Sequence, residues 1–459
     1  MTKIHLPSLK QFKPDLTAWQ VFYGVVFCLL SILLAIRLFR IVDQYAVNII
    51  FEDQVGFQTP IYEHKGIWEL FTRQLGPHRQ GLGEFVTWAV IRLSHWNTRA
   101  ESFTILAVLY SCLPVALFLK TKLIGKLQLT DLWFPFLFFS PVHWAHFTIT
   151  PNISHSILPL LLILFYALAW TIPNGALRAG CVLSLNFLLI FTGFGIFMGV
   201  ITLGILIIEL VFSIVNHNVF RIRYSLTCLI VAVLSFAIFG IGYRFYEVSD
   251  PINHSIQSLL KIPAFMALMN ANLLGLKYLD SPILSLLVGF LLLFATLAGF
   301  IIHLKRYLKN PFHEQPIDKI IVILTGYSLL FSFVTGLGRI SFGVTGGQVS
   351  RYMALLIPGY IGVYLALITA RVNYRTVLTV GFSLMIILAG VLPLNVRDQE
   401  MMIQISNGKT LWKACYLEAE DYYGCNQSTG FKIHPRKESI VIERLNYFKE
   451  NDLNLYLDD

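Results

Sequence analysis

The sequence predicts an all-α protein: a polytopic bundle of about 11 transmembrane spans, with amphipathic helices on its outer face and a small C-terminal cap outside the membrane. Of its 459 residues, 56% are hydrophobic and only 13% are charged. A soluble chain of this length has too little interior to hide so much apolar surface. Apolar runs of about 20 residues, which suffice to cross the hydrocarbon core, recur along the whole chain.

The apolar runs divide the chain into two parts. We expect a transmembrane domain at residues 1–393 and a C-terminal extracytoplasmic helical segment at 394–459. Prolines at 135 and 141 interrupt the third run, and Gly193 and Gly195 lie between the fifth and sixth, so these two could form one kinked element. The predicted spans are 19–42, 101–119, 131–149, 154–172, 176–192, 194–215, 224–246, 282–302, 319–338, 351–370 and 374–393.

The distribution of basic residues predicts the orientation. If the N-terminus is cytoplasmic, every predicted inner loop is basic, as the positive-inside rule requires. The same pattern explains the net charge of +9 without a nucleic-acid partner, because the basic residues fall in short clusters between apolar runs. The residues on the inner side are Lys120, Lys122, Lys126, Arg178, Arg221, Arg223, Lys305, Arg306, Lys309, Lys319, Arg371 and Arg375.

This orientation makes residues 43–100 one long outer loop. The stretch 82–96 is too short to span and carries Glu84, Arg92 and His95, so we expect a surface helix. A second surface helix is expected within 247–281. In the C-terminal segment, Cys415 and Cys425 are a candidate disulfide pair if that segment lies in an oxidising compartment.

The first candidate functional motif is FEDQ at 51–54, shortly after the first span. The neighbouring carboxylates of Glu52 and Asp53 can act as a general base or hold a divalent cation such as Mg²⁺ or Mn²⁺. The alternative is a helix-capping acid or a solvated loop.

The second motif is GPHRQGLG at 76–83, in which Gly76 and Pro77 predict a turn that presents His78 and Arg79. The planar guanidinium of arginine suits phosphate oxygens, and a histidine beside it adds a hydrogen bond or a proton relay. The alternative is an anchor that contacts lipid headgroups.

The third motif is GLGRISFGVTGGQVSRY at 336–352, in the outer loop before the tenth span. Its glycines let the backbone approach an anion closely, and Arg339, Arg351 and the adjacent Tyr352 are the candidate phosphate ligands. A tight re-entrant turn with arginines on headgroups is the alternative.

Three histidines, His143, His146 and His155, surround the break between the third and fourth spans. His143 and His146 could share one helical face and bind a metal. The alternative places them at the membrane interface, hydrogen-bonded to backbone groups that Pro141 and Pro151 leave free.

Together, FEDQ, the helix led by GPHRQGLGEF, and the next span with its basic inner end resemble the GT-C superfamily of polytopic glycosyltransferases. The resemblance covers the layout of about the first 130 residues. It departs from the commonest pattern in having GPHRQ in place of a His-Pro-Pro turn and Glu-Asp as its acid motif. The GR…SRY element resembles bacterial envelope membrane proteins, which implies a bacterial inner membrane.

The resemblance implies a transferase that moves a sugar from a polyprenyl-phosphate donor to a glycan, lipid or protein acceptor on the extracytoplasmic face. Glu52 or Asp53 would then be the base or a metal ligand, and His78, Arg79, Arg339, Arg351 and Tyr352 would hold the donor phosphate. Two alternatives remain: a transporter or flippase for a lipid-linked saccharide, and a polymerase or ligase of envelope polymers.

Overall fold

In a computed structural model, which describes residues 18–245, 256–312, 315–434 and 438–457, the chain is mostly helical, with one two-stranded hairpin. The helices of the first half are α1 (Ala18–Tyr45), α2 (Gln54–Phe57), α3 (Thr59–Tyr62), α4 (Ile67–Thr72), α5 (Gly81–Leu93), α6 (Thr98–Ile124), α7 (Trp133–Phe138), α8 (Ala145–Thr148), α9 (Ile157–Ala169), α10 (Gly175–Ile190), α11 (Ile196–Val215) and α12 (Val219–Gly240). Those of the second half are α13 (Ile256–Leu259), α14 (Ile262–Leu273), α15 (Pro282–Lys309), α16 (Ile317–Arg339), α17 (Ile357–Thr369), α18 (Arg375–Val391), α19 (Val396–Ala419), α20 (Tyr422–Thr429) and α21 (Glu438–Glu450). The hairpin strands are β1 (Gln74–Leu75) and β2 (His78–Arg79).

Seven helical segments among the described residues are long and apolar enough to cross a membrane. They comprise α1, α6, α11, α12, α15, α16 and α17, the last with the 3₁₀ turn that precedes it. The count is at most eight if α18 and α19, which meet at 41°, are taken as one bent span. By helix length and composition the protein is therefore an integral, multi-pass membrane protein.

The predicted count of about 11 spans is not confirmed, and the difference from seven lies in four regions. One is 374–393, where α18 has 17 residues and counts only together with α19. The region predicted to span at 131–149 is broken into α7, α8 and 3₁₀ turns, with Pro135 inside α7 and Pro141 at the start of a 3₁₀ turn. Proline lacks the N–H that a continuous helix needs, which accounts for the breaks. The regions at 154–172 and 176–192 contain only α9 and α10, of 13 and 16 residues.

Helix α1 lies at the edge of the bundle. Most of its apolar side chains, Ile32 and Leu33 among them, are exposed. The main core is formed instead by α6, α7, α9, α16 and α17. A helix whose apolar side chains face outward needs lipid around it, as expected of a first span.

We call the end of the bundle at which α1 ends and α6 begins the loop end, and the opposite end the far end. At the loop end, the segment after α1 and the C-terminal segment share one hydrophobic cluster, which includes Ile50, Ile61, Trp412 and Leu445. Asn454 links the C-terminal segment to the loop after α1, because its side-chain amide donates to the Trp96 carbonyl at 2.7 Å. The loop and the cap therefore fold on each other.

The helices predicted outside the spans are present with one correction. The stretch 82–96 forms α5, and the C-terminal helix starts at Glu438 as α21; the location of α5 on a membrane surface stays a prediction. The helix expected within 247–281 is α14, but nearly all its residues are buried between α15, α16 and the loop that follows α16. It is an internal helix, because the glycine-rich loop covers it.

Candidate functional site

The acidic pair after α1 lies beside the arginine that follows the glycine-rich loop. An Oδ2 atom of Asp53 is 3.9 Å from an Nη1 atom of Arg351, and both side chains are about half exposed, at 57% and 48%. The first and third sequence motifs thus meet at the loop end. An exposed pair at this distance is weak, so a ligand can replace either partner at little cost.

Glu52 lies in different surroundings from its neighbour. Its backbone is left-handed, with φ of 46°, and its N–H donates to the Ile433 carbonyl at 2.8 Å. Burial raises the pKa of the Glu52 carboxyl, as does the charge of Asp53, while Arg351 and Lys409 oppose the shift. A carboxylate with a raised pKa is a stronger base than an ordinary one.

Lys409, on α19, is a buried cation that acts electrostatically on the Glu52 carboxylate and that the motifs did not indicate. Its Nζ donates to the carbonyls of Thr148 and Ile149, at 2.9 and 2.6 Å, and lies 4.4 Å from the centre of the Phe51 ring. Burial lowers its pKa to about 7, against the opposing charge of Glu52. The sequence pattern could have indicated that Lys409 is buried, because Lys409 lies on the same face of α19 as Met402, Trp412 and Tyr416.

The β1–β2 hairpin presents His78 as its sequence predicts, with Gly76 at a φ of 55° in the turn. His78 Nδ1 lies 3.0 Å from the Gly193 carbonyl. Since a carbonyl only accepts, Nδ1 carries the proton and Nε2 keeps its lone pair. Burial lowers the pKa of His78 to about 4, with a further lowering by Arg339, so the ring is neutral at pH 7.

His155 lies next to His78 and within the electrostatic influence of Arg339 and Arg351. The rings of His78 and His155 are 5.3 Å apart in an edge-to-face arrangement. Burial lowers the pKa of His155 well below its ordinary value, and the charges of His78, Arg351, His146 and Arg339 lower it further. Its Nε2 is buried and makes no hydrogen bond among the described residues, which leaves it available to a ligand.

Close backbone packing fixes this part of the site. A Cβ on Gly83, in the first turn of α5, would lie 1.8 Å from the Ser154 Oγ, and one on Gly193 would lie 2.6 Å from the Ser154 carbonyl oxygen. Only glycine allows these segments to approach so closely. Glycine thus sets the distance between the His78 hairpin and the His155 segment.

The glycine-rich loop carries Arg339 and Arg351 at its two ends, both exposed. A Cβ on Gly347 would lie 2.8 Å from the Phe265 carbonyl oxygen of α14, so the loop rests directly on that helix. Lys277 secures it from the side, donating to the Gln348 carbonyl at 3.0 Å and pairing with Asp398 at 2.9 Å. The two arginines therefore project from a loop that the surrounding structure supports.

Arg79 is not part of this cluster, contrary to its assignment as a phosphate ligand. Its side chain is buried, and its three nitrogens donate to the carbonyls of Thr72, Phe239 and Ile241. Two of these lie at the C-terminal end of α12, where helix carbonyls lack internal partners. Arg79 ties the hairpin to α12.

Tyr352 is also buried among aromatic side chains rather than exposed on the surface. The residue is 3% exposed, and its ring is 6.1 Å from that of Phe194 and 6.3 Å from that of Phe331. Its position after Arg351 had suggested a phosphate ligand, but the 3₁₀ turn at Ser350–Leu356 directs the two side chains differently. Tyr352 packs beneath Arg351.

The donor set for a metal ion is small. No group of three or more His, Cys, Asp or Glu side chains that could hold one occurs in the described part of the chain. His143 and His146, with ring centres 6.1 Å apart, have other partners: the Leu137 carbonyl for one and the Ser156 hydroxyl for the other. Glu52 and Asp53 are two carboxylates, which together with phosphate oxygens of a substrate are a usual donor set for Mg²⁺.

The candidate disulfide pair in the cap, Cys415 and Cys425, is bonded, with the two Cα atoms 5.7 Å apart. The bond joins α19 to α20, on the helix that carries Lys409. It fixes the cap that supports the Glu52 backbone through Ile433.

Comparison with protein-family models, with curated proteins and with solved structures finds no match. The chemistry of this protein has to be inferred from its own residues.

Proposed function

We propose that the protein is a membrane glycosyltransferase that moves a sugar from a polyprenyl-phosphate-linked donor to an acceptor hydroxyl at the loop end. The observation that carries the proposal is the approach of Arg351 to the Glu52–Asp53 pair. A sugar transferase of this kind needs a base for the acceptor and cations for the leaving phosphate, and here they lie side by side.

In the proposed step, Glu52 takes the proton from the acceptor hydroxyl. The acceptor oxygen forms a bond to the anomeric carbon as the bond from that carbon to the phosphate oxygen breaks. The electron pair leaves with polyprenyl phosphate, which becomes a monoester with one more negative charge. Glu52 is preferred to Asp53 because its pKa is raised, whereas the Asp53 carboxylate is exposed and contacts Arg351.

Arg351 and Arg339 would neutralise the charge that develops on the phosphate, and neutral His155 would add a hydrogen bond without a proton change. His78, whose Nδ1–H is engaged by the Gly193 carbonyl, would only accept at Nε2, from a hydroxyl of the sugar. The Nε2 atom of His155, which has no partner among the described residues, is the group best placed to donate to an oxygen. If a divalent cation takes part, Glu52 and Asp53 would hold it together with oxygens of the donor phosphate.

The test is a transfer assay with purified protein in bilayers. A panel of polyprenyl-phosphate hexoses and pentoses is supplied with bacterial envelope glycans and lipids as acceptors, and release of polyprenyl phosphate is measured. We expect release with at least one donor, reduced by about 10²–10⁴-fold in Glu52→Gln, as for loss of a general base.

The matched control is Glu63→Gln, which changes an exposed carboxylate of the same loop whose ion pair among the described residues is with Lys65. It should retain full activity. Transport of the intact donor across the bilayer without release of polyprenyl phosphate would instead support the flippase alternative. Full activity in both Glu52→Gln and Asp53→Asn would refute the base assignment.

A further inference from the structure

A second ligand-sized space lies at the far end, remote from the residues described above. A cavity of about 710 Å³ opens among the C-terminal end of α9 and the first turns of α10, α12 and α16. Its lining includes Trp170, Arg178, Arg221 and Lys319. Cavities of this volume are typical of small-molecule sites.

The cavity is basic. Lys319 forms an ion pair with Glu209, so the charges of these two side chains cancel. The Lys319 Nζ also lies 4.1 Å from the centre of the Trp170 ring. Arg178 and Arg221 form no ion pair with any acidic side chain among the described residues. Arg178 donates to the Ile172 carbonyl at 3.2 Å, and Arg221 stacks on Phe312 at 4.3 Å. Two positive charges thus remain for an anion.

An apolar groove of about 1040 Å³ adjoins the basic cavity. The groove runs between α6, α9 and α10, past Phe118, Phe165 and Gly180. It shares Thr171, Ile172, Pro173 and Ala176 with the lining of the cavity, so the two spaces are neighbours. A Cβ on Gly180 would meet no atom within 4 Å, which shows how open the groove is at that point.

We propose that this pair of spaces binds an anionic phospholipid, with its phosphate at Arg178 and Arg221 and an acyl chain in the groove. A free phosphate would use the arginines but leave the groove unoccupied, and a neutral lipid would use the groove but not the charge. A basic pocket between membrane helices is suited to an acidic lipid headgroup. The proposal does not depend on the transfer reaction at the loop end.

The test uses the full-length protein in mild detergent, with bound lipid counted by native mass spectrometry. Phosphatidylglycerol, phosphatidylcholine and inorganic phosphate are titrated separately. We expect one phosphatidylglycerol to be retained with at least tenfold preference over phosphatidylcholine. Inorganic phosphate should not displace it at equal concentration. The double variant Arg178→Gln with Arg221→Gln should lose this preference.

Two matched controls distinguish loss of this site from the general effect of removing a positive charge and from the general effect of adding a large side chain. Arg223→Gln removes a nearby exposed arginine that does not line the cavity, and it should leave lipid binding unchanged. Gly180→Leu should weaken binding by filling the groove, whereas Gly204→Leu, at an open position of α11, should not. The glycine pair also tests the proposal if the double arginine variant does not fold.

Equal binding of phosphatidylcholine, or an equal loss in Arg223→Gln, would overturn the proposal. Displacement of phosphatidylglycerol by inorganic phosphate at equal concentration would indicate a site for the free anion and would also overturn it.

Discussion

Glu52 and Asp53 are neighbours in sequence, but their carboxylates have different surroundings. Asp53 is exposed and faces Arg351, whereas Glu52 is partly buried on a left-handed backbone held by Ile433. Left-handed backbone at a non-glycine residue is uncommon and is often found at functional sites. Their chemistry should therefore differ, although the sequence alone left open which of them is the base.

The pH dependence of transfer distinguishes the two carboxylates. With Glu52 as base, activity falls as the pH decreases through a pKa that lies above the ordinary 4.5, because burial and Asp53 raise it. Asp53→Asn removes the negative neighbour, so the acid limb of the kcat/KM profile should move to lower pH. Complete loss of activity in Asp53→Asn at every pH would show that Asp53 is the base.

Lys409 should make the stability of the protein pH-dependent. Its folded pKa is about 7 against an ordinary 10.5, so between these values the unfolded chain binds more protons than the folded one. The free energy of unfolding should therefore rise with pH across this window, by at most about 1.4 kcal/mol per pH unit for one proton.

Thermal unfolding in detergent between pH 7 and 10 measures this slope. Lys409→Met should flatten it, while Lys413→Met, on the same helix but outside its buried face, should preserve it. An unchanged slope in Lys409→Met would mean that the lysine is charged in the folded state throughout this range.

At the scale of the element, the hairpin and the start of α5 act together. Gly83→Ala would place a methyl group 1.8 Å from the Ser154 Oγ, so α5 must move away from the His155 segment. We expect lower thermal stability, by about 1–3 kcal/mol for an overpacked contact, and a rise in KM for the donor as His78 shifts. Gly204→Ala, which meets no atom within 4 Å, is the control and should behave as wild type.

The sequence predicted the helices and turns of the site better than it predicted which side chains contact each other. The Gly76–Pro77 turn, helix α5 and the helical character of the C-terminal segment follow from local signals, namely turn residues and apolar periodicity. Arg79 could not be assigned this way, because its partners lie at the end of α12, which no local pattern connects to the hairpin. Nor could the burial of α14 be predicted, since it depends on a loop that is distant in sequence.

At the scale of the whole molecule, hydropathy predicted a helical membrane protein but overcounted its spans. Apolar composition does not distinguish a continuous helix from one broken at prolines, as at 131–149, or from short helices such as α9 and α10. The meeting of Asp53 with Arg351 depends on how the helices pack. The sequence indicated both residues, but linked them only by placing their loops on the same side of the membrane.

The positive-inside pattern predicts that the loop end is extracytoplasmic. Glu63→Cys and Arg371→Cys, each made in a protein whose exposed Cys28 is replaced by serine, place one exposed thiol at the loop end or at the far end. In intact cells a membrane-impermeant maleimide should label the first and not the second, and lysis should make both reactive. Labelling of Arg371→Cys alone in intact cells would reverse the orientation and place the proposed reaction in the cytoplasm.

The central claim is that Glu52, Arg351 and Arg339 surround the bond that breaks in a polyprenyl-phosphate sugar. The most direct measurement is a structure of Glu52→Gln in lipid nanodiscs with a non-hydrolysable polyprenyl-phosphonate sugar. The account predicts the phosphonate within hydrogen-bonding distance of Arg351 and the anomeric carbon on the side of residue 52. A phosphonate bound at the far end beside Arg178 and Arg221, with the loop end empty, would contradict it.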